Sequence, residues 1–207
     1  MAGAVIVRST GISDIALHRN LIAGMGMQVL KSNEQLSSVL WLDDDMTFAV
    51  EDIAALKYFA AIGHCAVTAI YCKRGNSKEL TCGPAFAPNE SGADHKWLAL
   101  PDGSEVECFP VIAGMGAMML SRDDFVKSCE LSQRCFGKTK TAADAMPAVC
   151  FSGPMANDDG SYEWVSEDRA YSSLLWSVLP GGLFAVPVAV GHVSEVALVP
   201  DADAVWL

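Results

Sequence analysis

Residues 37–48 read SSVLWLDDDMTF, and the interpretation of this stretch decides the fold. An apolar run, Val39 to Leu42, ends in three aspartates, and apolar residues resume at once. A run apolar on both faces suits a central strand covered by helices, the mark of a parallel α/β sheet. Three adjacent carboxylates repel one another and gain nothing from a core. In open α/β sheets, however, ligands sit beyond the carboxyl ends of the strands. Alternate residues of an extended segment point the same way, so Asp43 and Asp45 can share one site while Asp44 points elsewhere. Two convergent carboxylates that both stay ionised suit a hard divalent cation, Mg2+ or Mn2+. A solvated turn, with one aspartate capping a helix, is the plainer alternative.

Working outward, Ala4 to Val7 is a short strand candidate. Ser13 is placed to cap a helix running to about Leu30, with Ile15, Leu17, Leu21, Ile22, Met25 and Val29 on its apolar face. After the aspartates, Glu51 to Ile62 reads as a helix with acidic residues in its first turn and Gly63 as its stop. CAVTAIY (65–71) reads as a strand. From Cys72 to Val106 the chain is rich in Gly, Pro, Asn and Ser, and LPDGSEV marks a hairpin within this excursion. CFPVIAGMGAMML reads as strand, glycine break, strand, and Ser121 with Asp124 opens the next helix. Residues 134–162 have little periodicity and read as a long polar loop, of a length that usually serves function or motion. Ser166 caps a last helix to about Leu179, stopped by Gly181 and Gly182, and LFAVPVAV is a strand. The expected architecture is one α/β domain over residues 1–207, a mostly parallel sheet flanked by helices with a small hairpin excursion.

The chain has 207 residues, 51% of them hydrophobic and 19% charged, a globular rather than disordered composition. Its net charge of -11 argues against nucleic-acid binding, which draws on clustered Lys and Arg. An anionic ligand here needs a cation or a few local basic groups. The seven cysteines are scattered and odd in number, with no C-x-x-C, so they read as reduced, mostly buried thiols. No apolar stretch is long enough to span a membrane, and a cytoplasmic location is expected.

Two further segments bear on chemistry. Glu167 and Asp168 open a helix in SEDRAY, where acidic residues also suit the helix dipole. His192 follows an apolar strand in VGH. Strand-DDD, then GMGAMMLSRDDF, then SEDRAY, then VGH resembles, in that order, a nucleotide-sugar glycosyltransferase of the GT-A fold, near the small bacterial and viral enzymes of family 2. The helix SDIALHRNLI, with Arg19 and Asn20, resembles that family's "ARN" helix. The resemblance runs from about residue 10 to residue 192. It implies that Asp45 and His192 bind Mn2+ or Mg2+, with Asp43 on the metal or on the donor ribose or sugar. It places Asp43, Asp44, Arg19, Gly114 and Gly116 on the donor side, with the glycines as a floor under the sugar. By the same resemblance Asp168, with Glu167, is expected to face the acceptor, and the loop over residues 134–162 is the expected place of acceptor choice. The implied reaction moves a sugar from a nucleoside-diphosphate sugar to a glycan or a small hydroxyl acceptor. Only about a dozen residues precede the "ARN" helix, so the first βαβ element is expected to be shortened, absent, or completed by a partner protein. The competing expectations are a two-metal phosphoryl-transfer enzyme using Asp43, Asp45 and Asp168, and a non-catalytic degenerate domain that binds a partner.

Overall fold

A computed structural model describes residues 4–8, 14–73, 76–85, 95–136, 153–156, 159–193 and 197–198. In chain order the elements are α1 (Ile15–Ser32), β1 (Ser38–Leu42), β2 (Met46–Thr47), α2 (Val50–Gly63), β3 (Ala66–Ile70), β4 (Cys72–Lys73), β5 (Asn76–Leu80), β6 (Cys82–Pro84) and β7 (Lys96–Ala99). There follow β8 (Glu105–Ala113), β9 (Ala117–Ser121), α3 (Arg122–Phe136), β10 (Gly153–Ala156), β11 (Tyr162–Val165), α4 (Glu167–Val178), β12 (Leu183–Ala189), β13 (Gly191–Val193) and β14 (Ala197–Leu198). The chain divides into two compact units, Met1–Ser37 with Arg122–Leu174, and Ser38–Ser121 with Leu175–Leu207.

The first unit is built on helices. Asp14 caps α1 by accepting from the Leu17 amide at 2.9 Å; Ser13, the expected cap, lies outside the described residues. Past the other end, Arg122 donates to the carbonyls of Leu30, Asn33 and Leu36 and so ties the end of α1 and the turn after it to the start of α3. Phe125 packs against Gly26, and the Ser128 and Tyr171 hydroxyls meet at 3.2 Å in a buried position. β10, inside the segment 134–162 expected to be all loop, pairs antiparallel with β11, which begins at that segment's last residue. Tyr162 and Trp164 alternate onto its exposed face at 75% and 71% exposure. Ala4 to Val7 carries no strand, and Val5 and Ile6 are exposed, so apolar character alone does not make the expected element.

The second unit holds the central sheet, of order β1-β9-β3-β12-β8-β6 with β7 also on β8. The fold is mixed α/β and the sheet is open, with four helices among the described residues. The expectation of a mostly parallel sheet is corrected: only β3 and β12 pair in parallel, and the other pairings are antiparallel. β1, β3 and β12 do run in one direction, as a strand–helix–strand crossover through α2 requires. What intervenes is β9, inserted against the direction of both β1 and β3. The central strands are buried on both faces, which gives the continuous apolar runs that parallel strands also show. Leu56, Phe59 and Ala60 of α2 share a buried core with Val67, Met119, Phe184 and Val186.

Several local expectations hold. LPDGSEV closes the β7–β8 hairpin, with Ala99 opposite Glu105. Asp52 in the first turn of α2 reaches back to the Ala49 amide at 2.7 Å. Gly182 follows α4 at φ +68°, where an added Cβ would stand 2.2 Å from the Trp176 ring, so both conformation and space demand glycine. Lys96 donates to the carbonyls of Gly63 and Gly181 and stands 4.6 Å over the Phe184 ring, a clamp that no sequence pattern announces.

Cys65, Cys72, Cys82, Cys108 and Cys129 are all buried, as the sequence leads one to expect of scattered thiols. Burial above all pushes the Cys82 and Cys129 thiols up to about 12 and Cys108 to about 11, from an ordinary value of 9.0. A thiol raised in this way holds its proton to higher pH in the folded chain than in the unfolded one. Its contribution to stability is therefore complete below about pH 9 and is lost as pH climbs through the folded values. The thermal midpoint is expected to be flat from about pH 7 to pH 8.5 and to fall steadily above about pH 9. Mass spectrometry after iodoacetamide treatment at about pH 8 should find these three thiols unmodified unless the chain is first unfolded. Rapid labelling of Cys82 in the folded chain would contradict this.

Candidate functional site

Because β1, β3 and β12 run the same way, their carboxyl ends lie at one edge of the sheet in the second unit. Asp43 to Asp45 follow β1, Tyr71 and Cys72 follow β3, and Val190 to His192 follow β12. The glycine break before β9 lies at the same edge, where the Asp43 amide donates to the Gly116 carbonyl at 3.0 Å.

The aspartates do not form the extended segment expected of them. Asp44 and Asp45 lie in a turn, and the Met46 amide points back to the Asp43 carbonyl at 3.4 Å. That turn delivers the chain into β2, which pairs with β13 so that Met46 stands opposite His192. The Val193 amide also donates to the Asp45 carbonyl, at 2.6 Å. Asp45 thus meets His192 through strand pairing, not through alternation along β1. Asp43 is half-buried, and Asp44 is exposed.

Asp45 Oδ2 and His192 Nε2 are 3.0 Å apart, with the two side chains only 21% and 14% exposed. The other ring nitrogen, Nδ1, is 3.0 Å from the Cys72 carbonyl. A carbonyl can only accept, so Nδ1 carries a hydrogen and donates it. In the neutral ring, Nε2 then presents a lone pair to a carboxylate oxygen. Two lone-pair donors at that separation require a shared positive centre: a proton on the ring, or a metal ion held by both. A histidine oriented by a backbone carbonyl beside a carboxylate is a donor set that Mn2+ accepts readily and Mg2+ less so. The pair therefore fits a divalent cation whose remaining ligands come from elsewhere. Among the described residues, no group of three or more His, Cys, Asp or Glu side chains is placed to hold a metal.

The glycines do something other than leave open space. Gly114 donates to the Thr81 carbonyl at 3.3 Å. Gly116 donates to the Tyr71 hydroxyl at 2.8 Å, and the room its missing side chain leaves is taken by that tyrosine. Tyr71 and the Cys72 carbonyl have no sequence signal. Tyr71 reads as the end of a strand, and a backbone acceptor is invisible to any motif.

In the first unit, Arg19 is buried on α1 and donates through Nη1 to Glu167 Oε1 at 3.1 Å and to Asp168 Oδ1. Arg19, expected with the donor, is thus engaged with the two expected catalytic carboxylates. Asp168 is the more open of these, at 31% exposure against 16% for Glu167. The Arg169 amide lies 3.4 Å from Ser166 Oγ, the cap expected for α4. Lys73 pairs with Glu79 at an exposed position. No helix among the described residues is long and apolar enough to cross a membrane.

No family model matches the chain, and no curated protein matches it. Among solved structures, the chain is similar to the crystal structure of A197 from STIV. The identity is 11% over 95% of this chain and 81% of that one, with a TM-score of 0.43. A likeness of that size decides nothing about the activity of this chain.

Proposed function

We propose that the chain is a metal-dependent glycosyltransferase of GT-A type, moving a sugar from a nucleoside-diphosphate sugar to a glycan. The observation that carries this reading is the Asp45–His192 pair, set at the carboxyl edge of the sheet with its ring tautomer fixed by the Cys72 carbonyl. When bound there, Mn2+ or Mg2+ would neutralise the diphosphate and act as a Lewis acid on the leaving group. Asp45 and His192 would hold that cation. Asp43 and Asp44 are assigned to the donor, with Asp43 near its ribose or sugar. Gly114 and Gly116 shape this edge through their backbone. Asp168 would take the proton of the acceptor hydroxyl if the reaction inverts the anomeric centre. Arg19 would orient Asp168 and Glu167 instead of touching the donor. The exposed pair Tyr162 and Trp164 favours a glycan acceptor over a small hydroxyl compound, because sugar rings present apolar C–H faces that stack on aromatic rings. One carboxylate paired with one imidazole suits a single cation better than the carboxylate-bridged two-metal alternative.

Thermal unfolding of the full chain with Mn2+ and a panel of nucleoside diphosphates tests this reading. One diphosphate is expected to raise the midpoint by several degrees with Mn2+ and to do little without it. A ligand at a hundred times its Kd adds about 2.7 kcal/mol to stability. If no diphosphate shifts the midpoint beyond the effect of metal alone, the donor site does not exist, and a partner-binding, non-catalytic role takes its place.

A further inference from the structure

Two consecutive residues at the carboxyl end of β3 hold the two halves of the Asp45–His192 site. Tyr71 is 3% exposed, and its phenol oxygen accepts from the Gly116 amide at 2.8 Å. Gly116 in turn accepts, at its carbonyl, from the Asp43 amide at 3.0 Å. The tyrosine ring also stands edge-on to the His192 ring, with centroids 6.0 Å apart and planes at 88°. The next residue, Cys72, fixes the same histidine through its carbonyl. Tyr71 is itself anchored, because its carbonyl accepts from the Thr81 amide at 3.0 Å and the Thr81 hydroxyl at 3.1 Å.

We propose that Tyr71 is a positioning residue, whose hydroxyl sets the aspartate turn, through Gly116 and Asp43, against the histidine that its ring abuts. The proposal rests on the glycosyltransferase reading only for the identity of the bound cation. It also gives Gly116 a different task from flooring a sugar. A Cβ there would stand 2.7 Å from the Tyr71 oxygen and 2.9 Å from the ring carbon bearing it, closer than Cβ contacts come. The glycine is required by the tyrosine, on the protein's own side. A buried amide needs an acceptor, so the hydroxyl is also what lets the glycine break lie where it does.

Tyr71→Phe keeps the ring against His192 and removes only the hydroxyl. Binding of Mn2+ alone, followed by the electron paramagnetic resonance of the free ion, is expected to weaken about tenfold, as when a residue supporting a ligand is lost. Val111→Ala, a substitution of a fully buried residue of the same unit outside this network, should lower the midpoint at least as far and leave Mn2+ affinity unchanged. A second readout needs no metal. The 15N resonances of the His192 ring should show Nδ1 bearing a hydrogen in the wild type, as the Cys72 carbonyl requires, and should shift in Tyr71→Phe. Wild-type Mn2+ affinity in Tyr71→Phe, or an equal loss in Val111→Ala, would overturn the proposal. If the wild type binds no Mn2+ but the ring resonances still move in Tyr71→Phe, the positioning role stands and only the cation reading falls. If the ring resonances do not move, the positioning role falls, whatever the metal does.

Discussion

Asp45→Ala is expected to abolish the coupled stabilisation by Mn2+ and nucleoside diphosphate, and to lower sugar transfer by more than about 100-fold. That figure is the upper range of losses when a residue merely supporting a metal ligand is removed, and Asp45 is assigned as a ligand itself. The fold should survive. Asp45 is 21% exposed at its side chain, so water can reach His192 Nε2 once the carboxylate has gone. The loss of one such hydrogen bond costs about 1 kcal/mol, a few degrees of midpoint for a chain of this size. His192→Ala should give the same functional loss, and the double variant should be little worse than either single one, because the two groups act as a unit. Asp44→Ala, at an exposed position, should leave metal binding intact. Calorimetric titration of Mn2+ with the diphosphate found in the thermal screen would measure all four variants. Full metal-coupled binding by Asp45→Ala would remove the central support for the proposed function.

The sequence shows some parts of this molecule and hides others, for identifiable reasons. The DDD triplet can be placed at a strand end because an apolar run stops there abruptly, and the sheet edge it marks is where Asp45 and His192 meet. The route by which they meet is hidden. The turn at Asp44–Asp45 and the β2–β13 pairing are long-range choices that alternation along β1 cannot express. Strand direction is hidden too, since β9 and β12 are buried on both faces and look alike in sequence, although one runs against β3 and the other with it. The break at Gly114–Gly116 is legible as a break, but its cause, a hydroxyl 45 residues away in the chain, is not. Arg19 shows the same limit. Its helix can be read from periodicity, but its partners lie 148 and 149 residues further on, so no local pattern distinguishes a donor ligand from an ion-pair member. Of the segment expected to govern acceptor choice, residues 134–162, the described part is the end of α3, the strand β10 and the turn into β11.

Asp168→Asn separates the carboxylate's charge from its shape. The amide oxygen can still accept from Arg19, and Glu167 keeps the guanidinium paired, so the buried arginine is not left with an uncompensated charge. The midpoint should therefore move by only a few degrees. An amide cannot take up a proton near neutral pH, however. If Asp168 is the base on the acceptor hydroxyl, kcat should fall by about 10²–10⁴-fold, the usual worth of a general base. Metal-coupled diphosphate binding should be unchanged, because donor binding is assigned to residues of the other unit. Glu167→Gln should cost much less, since Glu167 is the more enclosed of the two and is the arginine's second partner. A kcat loss with donor binding preserved is the pattern expected when an interaction made only in the transition state is removed. An Asp168→Asn variant with kcat within about threefold of the unsubstituted chain's would deny Asp168 the role of base. A product that keeps the donor's anomeric configuration would do the same, because a retaining reaction needs no base on the far side of the sugar. Either result would leave Asp168 the lesser task of orienting the acceptor through the geometry that Arg19 imposes.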